Sequence, residues 1–387
     1  MKLFLETHDM YIYIYLGIDL KKPDLAEVRK RINDLDAKLI DVITQRSALV
    51  KLVGVSKRNS GTPVYAPDRE KQVIKRAIAR NNGPLKDVTI EAIFRELMSG
   101  SFMLQVPLRI SFLGPKGTFS HMAAIRHFGS SVELVETNTI QGVTESVLRT
   151  HTDHGVIPFE NSTGGSINEG LDALFTTQAM VVAEALVDIS HNLLAICNHE
   201  DIKSIHSKPE VFLQCREWLR THFPRAVLVS EASTTAACQK VFAAGTNSNM
   251  AAIGSTLAGS MFELNTLFTS IQDRSQNLTR FLVLGRTPAK RTGDDRTLIH
   301  FNLLDNQAGA LSAVLDAFSK NEVNLLWMDK RPSRRRNWEY TFFIDCEGHL
   351  EDANVAKTLQ EAKQSCADFR VVGSYPRARS VFLSSHL

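Results

Sequence analysis

The chain has 387 residues, 43% of them hydrophobic and 22% charged, with a formal net charge of +3 and a pI near 8.5. That length is too great for one hydrophobic core and suggests roughly two to four domains, while the composition is that of a folded chain. So mild a positive charge excludes a general nucleic-acid binder, and no apolar run approaches the ~20 residues of a membrane helix. Cys197, Cys215, Cys238, Cys346 and Cys366 are widely spaced and form no CxxC pair, so neither a disulfide framework nor a zinc site is expected and the compartment should be reducing.

In chain order, the first feature is YIYIYLGI at 11–18, too short to span a membrane, preceded by Glu6 and Asp9 and followed by no small-residue cleavage site. A cytoplasmic protein is expected. Residues 1–21 read either as a loose tail or as an extension upstream of a start at Met10. From 22 to 105 the pattern is helical throughout. Leu25, Val28, Ile32, Leu35, Leu39 and Val42 recur at three- and four-residue steps in a long first helix. PDREKQVIKRAIAR (67–80) opens a second helix, and VTIEAIFRELMSGSFMLQ forms a third after the NNGP break. Three helices so unequal in length cannot enclose a core alone. The apolar seam of the first is expected to find its missing wall in another copy, giving a homodimer or a larger homo-oligomer.

Beyond Val106 the character changes to βα alternation. RISFLG (109–114) and GVIPF (155–159) read as strands leading into GPKGTFSH and ENSTGGSIN, each followed by a helix. Further strands are expected at 181–187, 193–197, 226–230, 250–253 and 281–284, with helices near 209–222 and 234–244. Residues 109–286 thus form an α/β domain large enough for two lobes and a cleft, of periplasmic-binding-protein-like type. In NLTRFLVLG (277–285), Phe281–Leu284 reads as a buried strand with Thr279 and Arg280 at its mouth. The polar TPAKRTGDDR (287–296) is a linker, and residues 297–376 follow the order strand, helix, strand, strand, helix, strand, an α+β ferredoxin-like arrangement.

The chemistry-bearing residues of the helical segment are cationic. Arg46 and Lys57 lie eleven residues apart, about 16 Å along one helix face, and could grip opposite ends of a small anion. Arg29 lies about 25 Å from Arg46, so it can join that site only from a partner subunit. VRKRINDLDAKLIDVITQRSALV and GVSKRNSGTPVYAPDREKQVI resemble the all-helical chorismate mutases. The resemblance implies that Arg29, Arg46, Lys57 and Arg69 are the cationic positions, Glu70 the acid, and Ser101 and Gln105 polar contacts on the third helix. One position departs: Ala66 stands where some members carry an aspartate. Rearranging chorismate to prephenate needs no cofactor, only a dianion held compactly and charge stabilised on the ether oxygen. Lys57 and Gln105 would donate to that oxygen, and Glu70 would orient the substrate hydroxyl.

The α/β region carries hydroxyls rather than a nucleophile. Neither GxSxG nor HExxH occurs, and His121, His191 and His206 follow no ligand spacing, with His191 and His206 read as structural. GPKGTFSH, ENSTGGSIN, STTAA, the GS pair at 254–255 and NLTRF, in this order and spacing, resemble the prephenate dehydratases. The resemblance implies loss of carbon dioxide and water from prephenate to give phenylpyruvate, with Thr279 essential, and no cofactor or metal. Thr118, Asn161, Ser162, Thr163, Ser233 and Thr234 would position substrate and Glu160 is a second candidate acid. Arg280 would either bind a carboxylate or brace the loop. Residues 297–376 resemble an ACT domain, with the Gly309, Ala310, Leu311 turn of NQAGALSAVL and the Asp329, Lys330, Arg331, Pro332 segment as effector contacts and L-phenylalanine the implied effector. Together these imply a bifunctional mutase and dehydratase. The alternatives are a monofunctional dehydratase with a decayed mutase, which Ala66 leaves open, and an amino-acid-responsive regulator, although no helix-turn-helix signature is present.

Overall fold

The computed structural model describes residues 24–274, 276–304, 307–332, 340–379 and 381–382. The leader at 1–21 and Asn306 of the NQAGALSAVL turn lie outside the described residues. The chain divides into two compact units, one comprising residues up to Tyr65 with Gln72–Pro107, the other Ala66–Lys71 with Leu108 onward.

The first unit is helical. Asp24 caps the first helix, Leu25–Ser60, by accepting from the Ala26 amide at 3.0 Å, and Gly61 ends it in the left-handed region at φ 66°. The second helix is Pro67–Ala79 and the third Asp87–Gln105. The first and third helices touch closely because Gly54 is buried and bare; a Cβ there would sit 2.9 Å from Gln105 Cγ. Met98, Ser99, Ser101 and Phe102 are buried on the third helix, and Tyr65 meets Phe102 edge-on at 6.1 Å. The rest of the first helix's apolar seam is uncovered, with Leu35 and Leu39 each 57% and Val42 60% exposed.

The second unit is built on three sheets. The strands are β1 (Arg109–Leu113), β2 (Glu133–Thr137), β3 (His154–Asn161), β4 (Gly165–Ser166), β5 (Met180–Asp188), β6 (Asn192–Ala195), β7 (Ser204–Ser207), β8 (Val227–Ser230), β9 (Met250–Gly254), β10 (Asn265–Phe268), β11 (Leu278–Gly285), β12 (Asp295–Leu303), β13 (Leu325–Pro332), β14 (Tyr340–Glu347), β15 (Cys366–Pro376) and β16 (Val381–Phe382). A seven-stranded sheet runs β16-β5-β11-β3-β1-β2 with β4 against β3, and a five-stranded sheet runs β10-β6-β9-β7-β8. The chain crosses between these sheets twice, after β5 and before β11. The crossings are stitched together by Ile189 N–H to Asn277 O at 2.7 Å and Ile271 N–H to His191 O at 2.8 Å.

Five strands were not anticipated from sequence: β2, β4, β7, β10 and β16. They are short, and SIHS in β7 or NTLF in β10 has too few apolar residues to mark a strand without its neighbours. The helical span near 209–222 is two pieces, Pro209–Gln214 and Arg216–His222, meeting at Cys215. The third sheet, β13-β14-β12-β15, is wholly antiparallel and carries helices Ala310–Lys320 and Ala353–Lys363, so the expected strand and helix order is realised.

This third sheet is not a tethered appendage. Leu298, Phe343, Val372 and Tyr375 share one buried cluster with Phe159, Val181, Leu282 and Leu284 of the seven-stranded sheet. The two backbones approach so closely that a Cβ on Gly373 would lie 2.1 Å from the Val181 carbonyl oxygen.

Candidate active sites

In the helical unit, Arg46 on the first helix and Ser101 on the third are brought together: Arg46 Nη1 donates to Ser101 Oγ at 2.7 Å, and Ser101 Oγ donates to Leu97 O at 2.6 Å. Burial between helices lowers the pKa of Arg46 from its ordinary value. Gln105 donates from Nε2 to Ser101 O at 3.2 Å, leaving its Oε1 buried with no hydrogen-bond partner among the described residues. Lys57 donates to Val64 O at 2.7 Å. Arg46, Ser101 and Gln105 therefore line one seam between two helices, whereas Arg29 is exposed near the far end of the first helix. Arg69 and Glu70 sit in the first turn of the second helix.

In the α/β unit the hydroxyl-rich loops divide into two kinds. Thr118, Ser233 and Ser255 are helix caps, accepting from the amides of His121, Ala236 and Ala258 at 3.3, 3.0 and 3.1 Å. They hold two loops together across the sheets: Ser255 Oγ donates to Gly117 O at 2.8 Å, and Gly117, at φ +91°, has Thr235 against the place of its missing Cβ. Thr234 is buried in the first turn of the helix that Ser233 caps.

The second kind surrounds Thr279. The strand expected over 281–284 begins at Leu278, so Thr279 and Arg280 lie within it rather than at its mouth. The added pairing explains this: Thr279 is opposite Asn161 on one side and Val187 on the other, and Arg280 opposite Glu160 and Leu186. Asn161 Nδ2 donates to Thr279 Oγ1 at 2.9 Å and to Asn277 Oδ1 at 2.8 Å. The amide cannot be flipped, because its Oδ1 accepts from the backbone N–H groups of Thr163 and Gly164 at 3.0 and 2.9 Å and from the Thr163 hydroxyl at 2.6 Å. Thr279 Oγ1 thus accepts a hydrogen bond from Asn161, and its own O–H meets no acceptor among the described residues. Ser162 closes the turn by accepting from Leu278 N–H at 2.9 Å.

Arg280 points the other way. Its Nε donates to Glu184 at 2.6 Å, and its Nη2 reaches Asp345 and the Tyr375 hydroxyl, each at 2.7 Å. Arg296 joins the same carboxylates, at 3.0 Å from Asp345 and 3.4 Å from Glu184. Burial alone would lower the pKa of Arg280, but Tyr375, Asp345 and Glu184 raise it overall, so the guanidinium is permanently charged. Of the two roles left open by the sequence, the geometry favours the brace. Its Nε and Nη2 are committed to two buried carboxylates, while Nη1 is buried without a hydrogen-bond partner among the described residues, 3.9 Å from Glu160.

Two guanidinium groups balance Glu184 and Asp345, which leaves Glu160, 3.9 Å from Arg280 Nη1, as the surplus carboxyl. Burial raises its pKa and outweighs the opposing pull of Arg280. Glu160 can therefore hold a proton at a higher pH than an ordinary glutamate.

A cavity of about 480 Å³ is lined by Ser162, Thr163, Asp273, Arg274, Gln276 and Leu278. Asp273 is turned to the backbone amides of Glu217 and Trp218 at 3.0 and 3.1 Å, while Arg274 is exposed with no ion pair among the described residues. Sequence reasoning missed Arg274, Asn277 and Gln214. Asn277 had a signal, since it stands two residues before Thr279 at strand spacing; Gln214 had none.

Of the expected effector residues, Gly309 adopts φ +87° with open space where a Cβ would be, and Ala310 and Leu311 open the helix after it. Asp329 Oδ1 accepts from the next amide, Lys330 N–H, at 2.6 Å. Arg331, beside Pro332 on β13, is engaged elsewhere: its Nε and Nη2 grip Asp172 of the helix Asn168–Thr176, both at 3.1 Å. A paired fork of this kind occupies the guanidinium face an effector carboxylate would use.

Two family models match the chain: chorismate mutase type II over residues 28–106 and prephenate dehydratase over residues 110–289. Among curated proteins, the bifunctional chorismate mutase/prephenate dehydratase of Aquifex aeolicus is 33% identical over 360 residues, covering 92% of this chain and 98% of that protein. Its counterpart in Stutzerimonas stutzeri is 36% identical over 361 residues, with the same coverage of 92% and 98%. Among solved structures, the prephenate dehydratase of Arthrobacter aurescens in complex with L-Phe superposes with a TM-score of 0.65 at 32% identity, covering 70% of this chain and 90% of that one. Identity at this level along nearly the whole length places the chain in the family of bifunctional chorismate mutase/prephenate dehydratases.

Proposed function

We propose that this chain rearranges chorismate to prephenate in its helical unit and converts prephenate to phenylpyruvate in its α/β unit, two steps of phenylalanine biosynthesis. The observation that carries the second activity is the Asn161-oriented Thr279 hydroxyl, whose O–H is available to donate and which has no base partner among the described residues. In the reaction the bond to the ring carboxylate breaks and releases carbon dioxide. Its electron pair completes the aromatic ring, and the ring hydroxyl departs with one proton as water. A desolvated donor aimed at that oxygen lowers the barrier. Glu160, with its raised pKa, is suited to supply the proton.

Prephenate is a dianion, and with Arg280 committed internally, Arg274 on the cavity wall is the cation suited to its pyruvyl carboxylate. Asn161, Ser162 and Thr163 shape that wall, while Thr118, Ser233 and Thr234 fix the loops facing it. In the mutase half, Arg46, Lys57, Arg69 and Gln105 would hold chorismate, with Ser101 setting the Arg46 rotamer and Glu70 the hydroxyl. The uncovered seam of the first helix supports a homodimer in which Arg29 reaches the partner's site.

The third sheet is read as an ACT domain responding to L-phenylalanine, supported by the open Gly309 turn and by the L-Phe complex of the Arthrobacter protein. The setting is the cytoplasm; among the described residues no helix is long and apolar enough to cross a membrane.

Supplying chorismate to the purified protein and following prephenate and phenylpyruvate separately tests the reading; absence of phenylpyruvate would falsify it. Thr279→Ala should abolish the dehydratase and spare the mutase, and Arg46→Ala should do the reverse. As an acid, Glu160 works below its raised pKa, so dehydratase kcat should fall as pH rises through that pKa. Glu160→Gln should flatten this limb of the pH profile, measured in kcat against pH.

A further inference from the structure

The ion cluster around Arg280 is assembled from two sheets. Glu184 on β5 and Arg280 on β11 belong to the seven-stranded sheet, whereas Arg296 on β12, Asp345 on β14 and Tyr375 on β15 come from the third. Glu184, Arg280, Asp345 and Tyr375 are all buried. Arg280 spends Nε on Glu184 and Nη2 on Asp345 and Tyr375, which turns Nη1 toward Glu160. That Nη1 is buried with no hydrogen-bond partner among the described residues and lies 3.9 Å from Glu160 Oε2. The guanidinium carbon also stands 5.2 Å over the ring of Phe159, the residue next to Glu160 on β3. Tyr375 fixes this orientation: its hydroxyl accepts from Arg280 Nη2 at 2.7 Å and donates to Asp345 Oδ1 at 3.2 Å. Burial pushes the pKa of the phenol well above its ordinary value, so it stays neutral and adds no charge.

The charged groups that act on Glu160 therefore stand on four other strands: Arg280 on β11, Asp345 on β14, Arg296 on β12 and Glu184 on β5. Its nearest ladder partner on β4 is the uncharged Ser166. Burial is the largest influence on its pKa and raises it; Arg280 and Arg296 pull it down, and Asp345 and Glu184 push it up. The third sheet thus contributes one charge of each sign to the surroundings of the candidate acid.

We infer that Asp345, Arg296 and Tyr375 of the third sheet are positioning residues for the dehydration step, holding Arg280 in place and setting the charge that Glu160 meets, so that Glu160 arrives at the reaction with its proton. This rests on the dehydratase reading above, with Glu160 as the acid. Tyr375 acts through its hold on Arg280, and Asp345 and Arg296 act through that guanidinium and through their own charge.

The test is the pH dependence of kcat in the full-length protein with prephenate as substrate. Glu160→Gln first identifies the falling limb that belongs to Glu160. Asp345→Asn keeps the side-chain shape and removes a negative charge, so Glu160 loses its proton more readily and the fall in kcat should move to lower pH, by on the order of one unit. Arg296→Gln removes a positive charge and should move the same fall to higher pH. Tyr375→Phe changes no charge and should leave the limb in place while lowering kcat at every pH, because the guanidinium loses one of its holds. Shifts of opposite sign separate charge from packing, since a packing defect lowers kcat at all pH values alike. A limb unmoved in both charge variants overturns the inference, as do two shifts of the same sign. If either variant fails to fold by circular dichroism, the direction of the shift in the other decides. A limb that persists in Glu160→Gln removes Glu160 as the acid, a failure of the dehydratase reading distinct from a Glu160-dependent limb that Asp345→Asn and Arg296→Gln leave unmoved.

Discussion

The first helix and the strand β11 are both apolar stretches bearing cations, and they resolve their burial in opposite ways. The helix presents a regular seam that nothing among the described residues covers, with Leu39 57% exposed, and holds Arg46 at one crossing through Ser101 and the Leu97 carbonyl. The strand is covered on both flanks and both faces, and its Arg280 is sealed among Glu184, Asp345 and Tyr375 at 5% exposure. The difference teaches that apolar periodicity reports a face needing cover, whereas the identity of the cover depends on the rest of the fold. It also separates two kinds of cation: Arg46, hydrogen-bonded to Ser101 at a helix crossing, and Arg280, paired with the buried carboxylates of Glu184 and Asp345.

The sharpest way to break the comparison is Arg280→Ala. Removing one guanidinium of a buried ion cluster leaves Glu184 and Asp345 to share Arg296, and the α/β unit should lose about 3–5 kcal/mol, read by denaturant unfolding. If Arg280 instead served substrate, stability would hold and KM alone would rise.

Gly373→Ala comes next. A methyl group facing the Val181 carbonyl must push the third sheet away from β5, at a cost of about 1–3 kcal/mol in the same unfolding transition. A neutral effect would show that the two sheets part freely, contradicting their shared core.

On the helical side the effects should be smaller. Ser101→Ala removes one hydrogen bond to Arg46 and should cost about 1 kcal/mol, with a larger loss in chorismate turnover than in stability. Smallest of all on intrinsic stability is Leu39→Lys, within about 0.5 kcal/mol for an exposed position. Its signature lies elsewhere: sedimentation should show smaller assemblies if that seam is an interface, and unchanged mass would remove it from consideration.

Much of this was legible in the sequence. Leu25, Ile32, Leu35 and Leu39 announced a helix, and the structure shows one over Leu25–Ser60. The six-element order after residue 297 is present as read, and the alternation after Arg109 is present with additional short strands and helices that the sequence did not mark. Thr279 was identifiable from its motif because the motif is local. Its placement inside β11 was not, since the polar pair Thr279-Arg280 becomes strand only when Asn161, Glu160 and Val187 supply ladder partners.

By itself the sequence determined the periodicities, the turns that require glycine at Gly61, Gly117 and Gly309, and the residue types gathered around each strand end. The tertiary structure alone decided which charges find one another. Arg280 meets Glu184 and Asp345, Arg331 meets Asp172, and Thr279 is joined through Asn161 and Asn277 to Gln214 and His191. The reason is physical: local pattern follows from backbone geometry within a few residues, but a buried polar group must be satisfied by whatever the fold carries to it, however distant in the chain.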